Sequence, residues 1–356
     1  MAVYLVYMAS PIILYLIVKL FGLGSLEDKL IEKRIYLILM ALVMIFFIGF
    51  RNQHVGSIDT SIYYNNWKIF STYDLEQLKS ALQEGEFEPG YMISVWVFSH
   101  VFKHPQMLFV LSATLFAISI CRFVEKNCEN VVLAMLVFNC LGLFNFFVQG
   151  LRQSIAMCIC LFAIEKIKKK EYLKFALLVL LAMTFHGTAI VFVIVPILRH
   201  LKFTLFSTLF FSGAAITVML LLPWVFKVIS IIIEDNYEVG EGANRGGVVA
   251  ILIYAVIIVF GMVTRDNKNE FDAMYIYMAL VGVAALIMRN NISTIAERIN
   301  YYFAFSQMVL VANGSQRLKE KGTTAIVNIL VAALCLGVAV YKASYSVIIP
   351  YTFFWQ

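Results

Sequence analysis

Arginines, acids and one histidine recur at the ends of long apolar runs in this chain. Arg152 sits in Gln149-Gly150-Leu151-Arg152-Gln153, a tight polar hinge between two such runs. It opens the second run, where the positive end of a helix dipole repels a cation. A cation held against its local field calls for an anion, either a bound ligand or a carboxylate on another helix. Arg51 ends an apolar run with no polar spacer, and Asp59 follows just after Gly56. That pair is either functional or a tie that folds the loop. Arg289 and Arg298 stand near the end of one run and the head of the next, and Arg245 lies in a glycine-rich tract. A guanidinium keeps its charge and grips phosphate oxygens with two parallel bonds. Arg51, Arg152, Arg289 and Arg298 together suit a diphosphate.

Three residues are candidates for moving a proton. His186 lies in Phe185-His186-Gly187-Thr188, flanked on both sides by apolar runs. A histidine titrates near working pH and suits general-base work; a capped interfacial histidine is the alternative. Asp59 is the second candidate. Glu88 is the third, in Glu88-Pro89-Gly90-Tyr91, where Pro and Gly break the chain before a helix; simple capping is its alternative role. The pattern leans to Asp59 or His186. Gln153, Tyr301 and Tyr302 are candidates for sugar contact, against the ordinary enrichment of tyrosine at membrane interfaces. Zinc-protease, nucleophile-elbow, P-loop and dinucleotide motifs are all missing from the sequence. Neither a cofactor nor a metal is expected, although Glu84, Glu86 and Glu88 are spaced closely enough to hold a divalent ion.

These groups need elements to position them. Hydrophobic residues make up 62% and charged residues 14% of the 356, far from the proportions of a soluble domain. The net charge of +6 is too small and too scattered for a nucleic-acid partner. The reading is all-α: a polytopic membrane helix bundle forming one domain over 1–356. Apolar runs fall at 4–23, 35–50, 106–121, 131–149, 153–165, 172–185, 187–198, 203–222, 248–264, 273–288, 296–312 and 323–341, about twelve spans. Residues 91–102 are too short to cross and read as a re-entrant or interfacial helix. The stretch 1–23 lacks a basic leader and reads as a retained first span. The six cysteines form no C-x-x-C pair and mostly fall in apolar runs, where cysteine acts as a small hydrophobe.

Sidedness follows from lysine and arginine in short loops. The Lys166–Lys170 segment is the most basic and should be cytoplasmic. Loops 24–34, 122–130, 165–174, 199–202, 265–270 and 313–322 then share that side, and both termini lie outside. Two outside segments are long, 51–105 and 223–247, and their loops 51–90 and 223–247 suit a functional or mobile role.

The ordered pieces Arg51…Val55-Gly56-x-x-Asp59-Thr60-x-x-Tyr63, Glu88-Pro89-Gly90-Tyr91, Gly150-Leu151-Arg152-Gln153-Ser154-Ile155-Ala156, Phe185-His186-Gly187-Thr188-Ala189, Arg298 with Tyr301-Tyr302, and Ile349-Pro350-Tyr351 resemble the EpsG-like family of Wzy-type oligosaccharide repeat-unit polymerases. Thr188 stands where that pattern has serine. The resemblance implies an inner-membrane enzyme of bacterial capsule, O-antigen or exopolysaccharide synthesis, with a GT-C-like fold. It implies metal-independent transfer of a growing glycan from undecaprenyl diphosphate to a new lipid-linked unit, on the periplasmic or exterior side. A chain-length regulator and a flippase would be its partners. Two rivals stay open: a flippase or transporter of lipid-linked sugar, and a polyprenyl-phosphate-sugar transferase using the Glu84–Glu88 acids with a divalent ion.

Overall fold

The computed structural model describes residues 1–22, 29–204, 206–207, 209–210, 213, 217, 221, 246–287 and 293–356. Its helices are α1 (Ala2–Leu20), α2 (Lys29–Gly49), α3 (Ile58–Phe70), α4 (Leu75–Glu84), α5 (Pro89–Val101), α6 (Gln106–Asn127), α7 (Val131–Cys140), α8 (Leu143–Gln149), α9 (Leu151–Lys168), α10 (Tyr172–Met183), a 3-10 helix (Gly187–Ile194), α11 (Val195–His200), α12 (Gly246–Val263), α13 (Glu270–Ile287), α14 (Ser293–Gln316) and α15 (Lys321–Ala343). No strand forms among the described residues, and the all-α expectation holds. Among the described residues, four helices are long and apolar enough to cross a membrane: α1, α6, α13 and α15. The α7–α8 pair, bent by 54°, makes a fifth candidate. The break falls at Gly142, whose φ of 117° favours glycine. α10 has 12 residues, about 18 Å of helix, well short of a hydrocarbon core of about 30 Å. α9 carries four charges, Arg152, Glu165, Lys166 and Lys168. Helices occupy every expected run except 203–222, most of which lies outside the described residues. Twelve crossings therefore remain an expectation.

The segment 51–90, read as a loop, is largely helical. α3 buries Thr60, Tyr63, Trp67 and Phe70 at three- and four-residue spacing. α4 opens on a capping box, in which the Asp74 carboxylate accepts from Gln77 N at 2.8 Å and the Gln77 side chain accepts from Asp74 N at 2.9 Å. It ends on Gly85 with φ of 71°. α5 has 13 residues, too few to cross. The glycine-rich tract at 240–247 lies almost wholly outside the described residues.

The described chain forms two compact units, 1–190 with 319–356, and 191–318. In the first, α2 packs on α6, α6 on α9, and α9 on α10. Gly49 lets α2 approach α6: a Cβ there would lie 3.1 Å from the Val110 Cα. Large apolar residues such as Leu16, Ile38, Leu42, Leu177 and Leu180 stay exposed. All six cysteines are buried and unpaired.

The first unit has two chemically different ends. At one, Lys33 Nζ donates to the Glu125 and Cys128 carbonyls at 2.6 and 3.0 Å. Arg34 meets Glu125 at 2.7 Å, and Arg122 and Lys126 share Glu165 at 2.6 and 2.7 Å. Lys168 donates to Asn127. Three of the basic loops that charge counting puts on one side, 24–34, 122–130 and 165–174, thus gather at one end of this unit. At the other end, Gln106 donates to the Gly49 and Arg51 carbonyls at 2.7 and 2.9 Å. The C-terminal residues pair with the end of α2 through Asn52 N to Thr352 O and Phe354 N to Phe50 O, both 2.9 Å. The polar clusters at 88, 152 and 186 share that second end.

In the second unit, α13 packs on α14, and α12 packs on both. Arg199 meets Glu270 at 3.1 Å, and Arg317 binds the buried Asp272.

Candidate active site

Gly90 docks two distant stretches of the first unit. Its N–H donates to the Thr184 carbonyl at 2.7 Å, joining the start of α5 to the turn after α10. A Cβ at this position would sit 2.3 Å from Thr184 Oγ1 and 2.8 Å from Thr184 O, so only glycine allows the approach. Glu88 lies two residues before this contact, His186 two residues after Thr184. Glu88 is the N-cap residue of α5, but its carboxylate caps nothing. It bridges two other groups: Glu88 Oε1 lies 2.9 Å from His186 Nδ1, and Glu88 Oε2 accepts from Arg152 Nη1.

A carboxylate can only accept, so His186 Nδ1 carries a proton, and in the neutral ring Nε2 keeps its lone pair. His186 is 8% exposed, and Nε2 is buried with no hydrogen-bond partner. Its tautomer and orientation are thus held in the manner of a catalytic imidazole.

Burial alone would push the Glu88 carboxyl up. The hydrogen bond with His186 and the charge of Arg152 outweigh it and bring the group down from 4.5 to about 2. A depressed carboxylate stabilises the fold above its ordinary value and loses that contribution as pH falls through its folded value. The melting-temperature gap between wild type and Glu88→Gln is therefore expected to be full above about pH 4.5 and to close as pH approaches 2. A gap independent of pH over that range would contradict the ion bridge.

Arg152 is the second residue of α9, and the anion that its unfavourable position demands is the Glu88 carboxylate. Aromatic rings surround its guanidinium: Phe87 at 5.0 Å, Tyr91 at 5.9 Å and Tyr63 at 6.0 Å. The Tyr63 and Phe87 rings each lie 5.7 Å from that of Tyr91. The Arg152 side chain remains 24% exposed and that of Glu88 23%, so solutes reach the bridge. Arg152 Nε has no partner. Gln153, beside it, is buried at 3% exposure.

Arg51, expected among the diphosphate ligands, directs its guanidinium into the protein. Nη1 donates to Ile48 O at 2.5 Å, and Nη2 donates to Val148 O at 3.0 Å. These carbonyls belong to the last turns of α2 and α8, where backbone acceptors are left over and a cation is favoured. The Phe109 ring covers the group at 4.0 Å, and the residue is 1% exposed. Asp59 is exposed in the first turn of α3, where the dipole favours an acid. Among the described residues no Arg51–Asp59 ion pair forms.

In the second unit, Arg298, Tyr301 and Tyr302 all lie on α14. Tyr302 is buried at 1% exposure, while Arg298 and Tyr301 are half-buried. Arg289 and Arg245 lie outside the described residues. Glu84 and Glu86 are exposed.

Tyr63, Phe87 and Gly90 gain roles here that the motifs did not convey. Their signal was placement: Phe87 and Gly90 lie within two residues of Glu88, and Tyr63 lies one helical turn after Asp59.

Gly90→Ala must separate α5 from the turn at 184. It is expected to destabilise the protein by about 1–3 kcal/mol, the usual cost of overpacking, and to lower activity with it. An unchanged melting temperature would show that the contact is not needed.

No curated protein and no solved structure matches the chain. The EpsG family profile matches residues 34–353, taking in the Glu88–Arg152–His186 constellation and nearly everything around it, and the chain belongs to the EpsG family.

Proposed function

We propose that the chain polymerises lipid-linked oligosaccharide repeat units, moving a growing glycan from undecaprenyl diphosphate to the next lipid-linked unit. Its family carries a polymerase-like role in polysaccharide biosynthesis. The observation that carries the finer reading is the Glu88 bridge, which holds a fixed imidazole and an accessible guanidinium at one end of a membrane bundle.

In this mechanism the acceptor hydroxyl oxygen attacks the anomeric carbon of the growing chain. His186 Nε2 takes the hydroxyl proton. The bond from the anomeric carbon to the diphosphate oxygen breaks, and its electron pair leaves with the diphosphate. Arg152 neutralises the charge that grows there, the kind of electrostatic help that lowers a barrier by several kcal/mol. Glu88 keeps the imidazole in the productive tautomer. Arg51 fastens the ends of α2 and α8 beneath the site. Arg289 and Arg298 remain diphosphate candidates, and Gln153, Tyr301 and Tyr302 sugar candidates, on sequence grounds. The active end faces the periplasm or exterior, opposite the basic end. The purified chain should lengthen lipid-linked oligosaccharide in steps of one repeat; unchanged length would refute the reading.

A further inference from the structure

Beside the bridge, α3 and α5 bury polar atoms that the protein itself leaves unsatisfied. Thr60 is 0% exposed, Asn66 7% and Tyr91 1%. Thr60 Oγ1, Asn66 Nδ2 and Tyr91 OH have no hydrogen-bond partner. The Asn66 amide and the Tyr91 hydroxyl face one another as donor and acceptor. Thr60, Tyr63 and Asn66 follow one another at intervals of three along a single face of α3, and the Tyr63 and Tyr91 rings reach the Arg152 guanidinium. At its other end the strip abuts the α8–α9 hinge. A Cβ on Gly56 would lie 2.7 Å from Thr60 Oγ1 and 3.5 Å from Val148 O.

An unsatisfied buried hydroxyl or amide costs about 1–3 kcal/mol, and an apolar residue of the same shape avoids that cost. Thr60 Oγ1 and the edge of the Asn66–Tyr91 pair, in one strip beside the Arg152 guanidinium, point to a ligand with matching hydroxyls. Aromatic rings alternating with hydrogen-bonding groups suit a pyranose, which presents apolar C–H faces and polar edges.

We infer that the Thr60–Tyr63–Asn66 face of α3 and Tyr91 of α5 form a carbohydrate subsite that reads the hydroxyls of the sugar next to the diphosphate. The inference rests on the polymerase reading for the identity of its ligand. Its test does not depend on turnover.

The test uses the full chain in lipid nanodiscs. Two probes are compared: undecaprenyl diphosphate without sugar, and the lipid-linked oligosaccharide extracted from cells lacking the gene. Wild type should bind the glycosylated probe more tightly. Thr60→Val and Tyr91→Phe keep shape and remove one hydroxyl each. Each should narrow that affinity gap by about five- to tenfold, leave binding of the bare carrier unchanged, and leave the melting temperature equal or higher. Thr60→Ser should restore the gap. A wild type with no gap, or variants that keep the full gap, would overturn the subsite. If the gap behaves as expected and the chain never lengthens glycan, the subsite stands and the polymerase reading falls.

Discussion

Arg152→Ala is expected to cut polymer formation by about 100- to 1,000-fold, the usual cost of removing one donor that stabilises a developing anion. The loss should appear in the rate of elongation by purified protein, with insertion into the membrane intact. Glu88 keeps its bond to His186 in this variant, so the turn at 184–186 still docks on α5. Arg152→Lys should fail nearly as badly. A lysine is a point charge without the planar fork, and it would surrender the two-bond grip on phosphate. Polymer of normal length and yield from Arg152→Ala would remove the anion role altogether.

His186→Asn carries the second large effect. Loss of a positioned base costs about 100- to 10,000-fold in rate. Glu88→Gln should lose part of that, because a glutamine side chain can offer its N–H as well as its oxygen to Nδ1, and the proton then moves to Nε2. The two residues act as a unit, so the double variant should be no slower than His186→Asn alone. Asp59→Asn should be mild by comparison, since Asp59 stands exposed at the start of α3 without an ion pair among the described residues. If Asp59→Asn proved the worst of the three, the base would lie there and the bridge would be structural. Rates measured at saturating lipid-linked substrate separate these outcomes.

The site was legible residue by residue before it was legible as a site. Glu88, Arg152 and His186 each announce themselves as a polar residue at a break between apolar runs. Arg152 even declares that it needs an anion. The partner was not legible, because the docking of Gly90 on Thr184 joins stretches almost a hundred residues apart, and only the fold makes that join. Arg51 shows the reverse: a basic residue directly after a helix can bind the last carbonyls, and here Nη1 takes Ile48 O of its own helix while Nη2 takes Val148 O of α8. The helices in 51–90 did leave signals. Asp74-x-x-Gln77 is a capping box and Gly85 a left-handed stop, but their shortness and polarity among long apolar runs hid them. The bend at Gly142 was invisible to hydropathy, which reads α7 and α8 as one run. The apolar helices were the easiest to read, since lipid demands long apolar helices and little else satisfies it.

One experiment bears on the whole account most directly. The purified chain in nanodiscs is given lipid-linked oligosaccharide from cells lacking the gene, and the glycan is resolved by length. The account predicts a ladder spaced by one repeat unit, absent with His186→Asn and with Arg152→Ala. Glycan that keeps its starting length with active wild-type protein, or a full ladder from either variant, would contradict it.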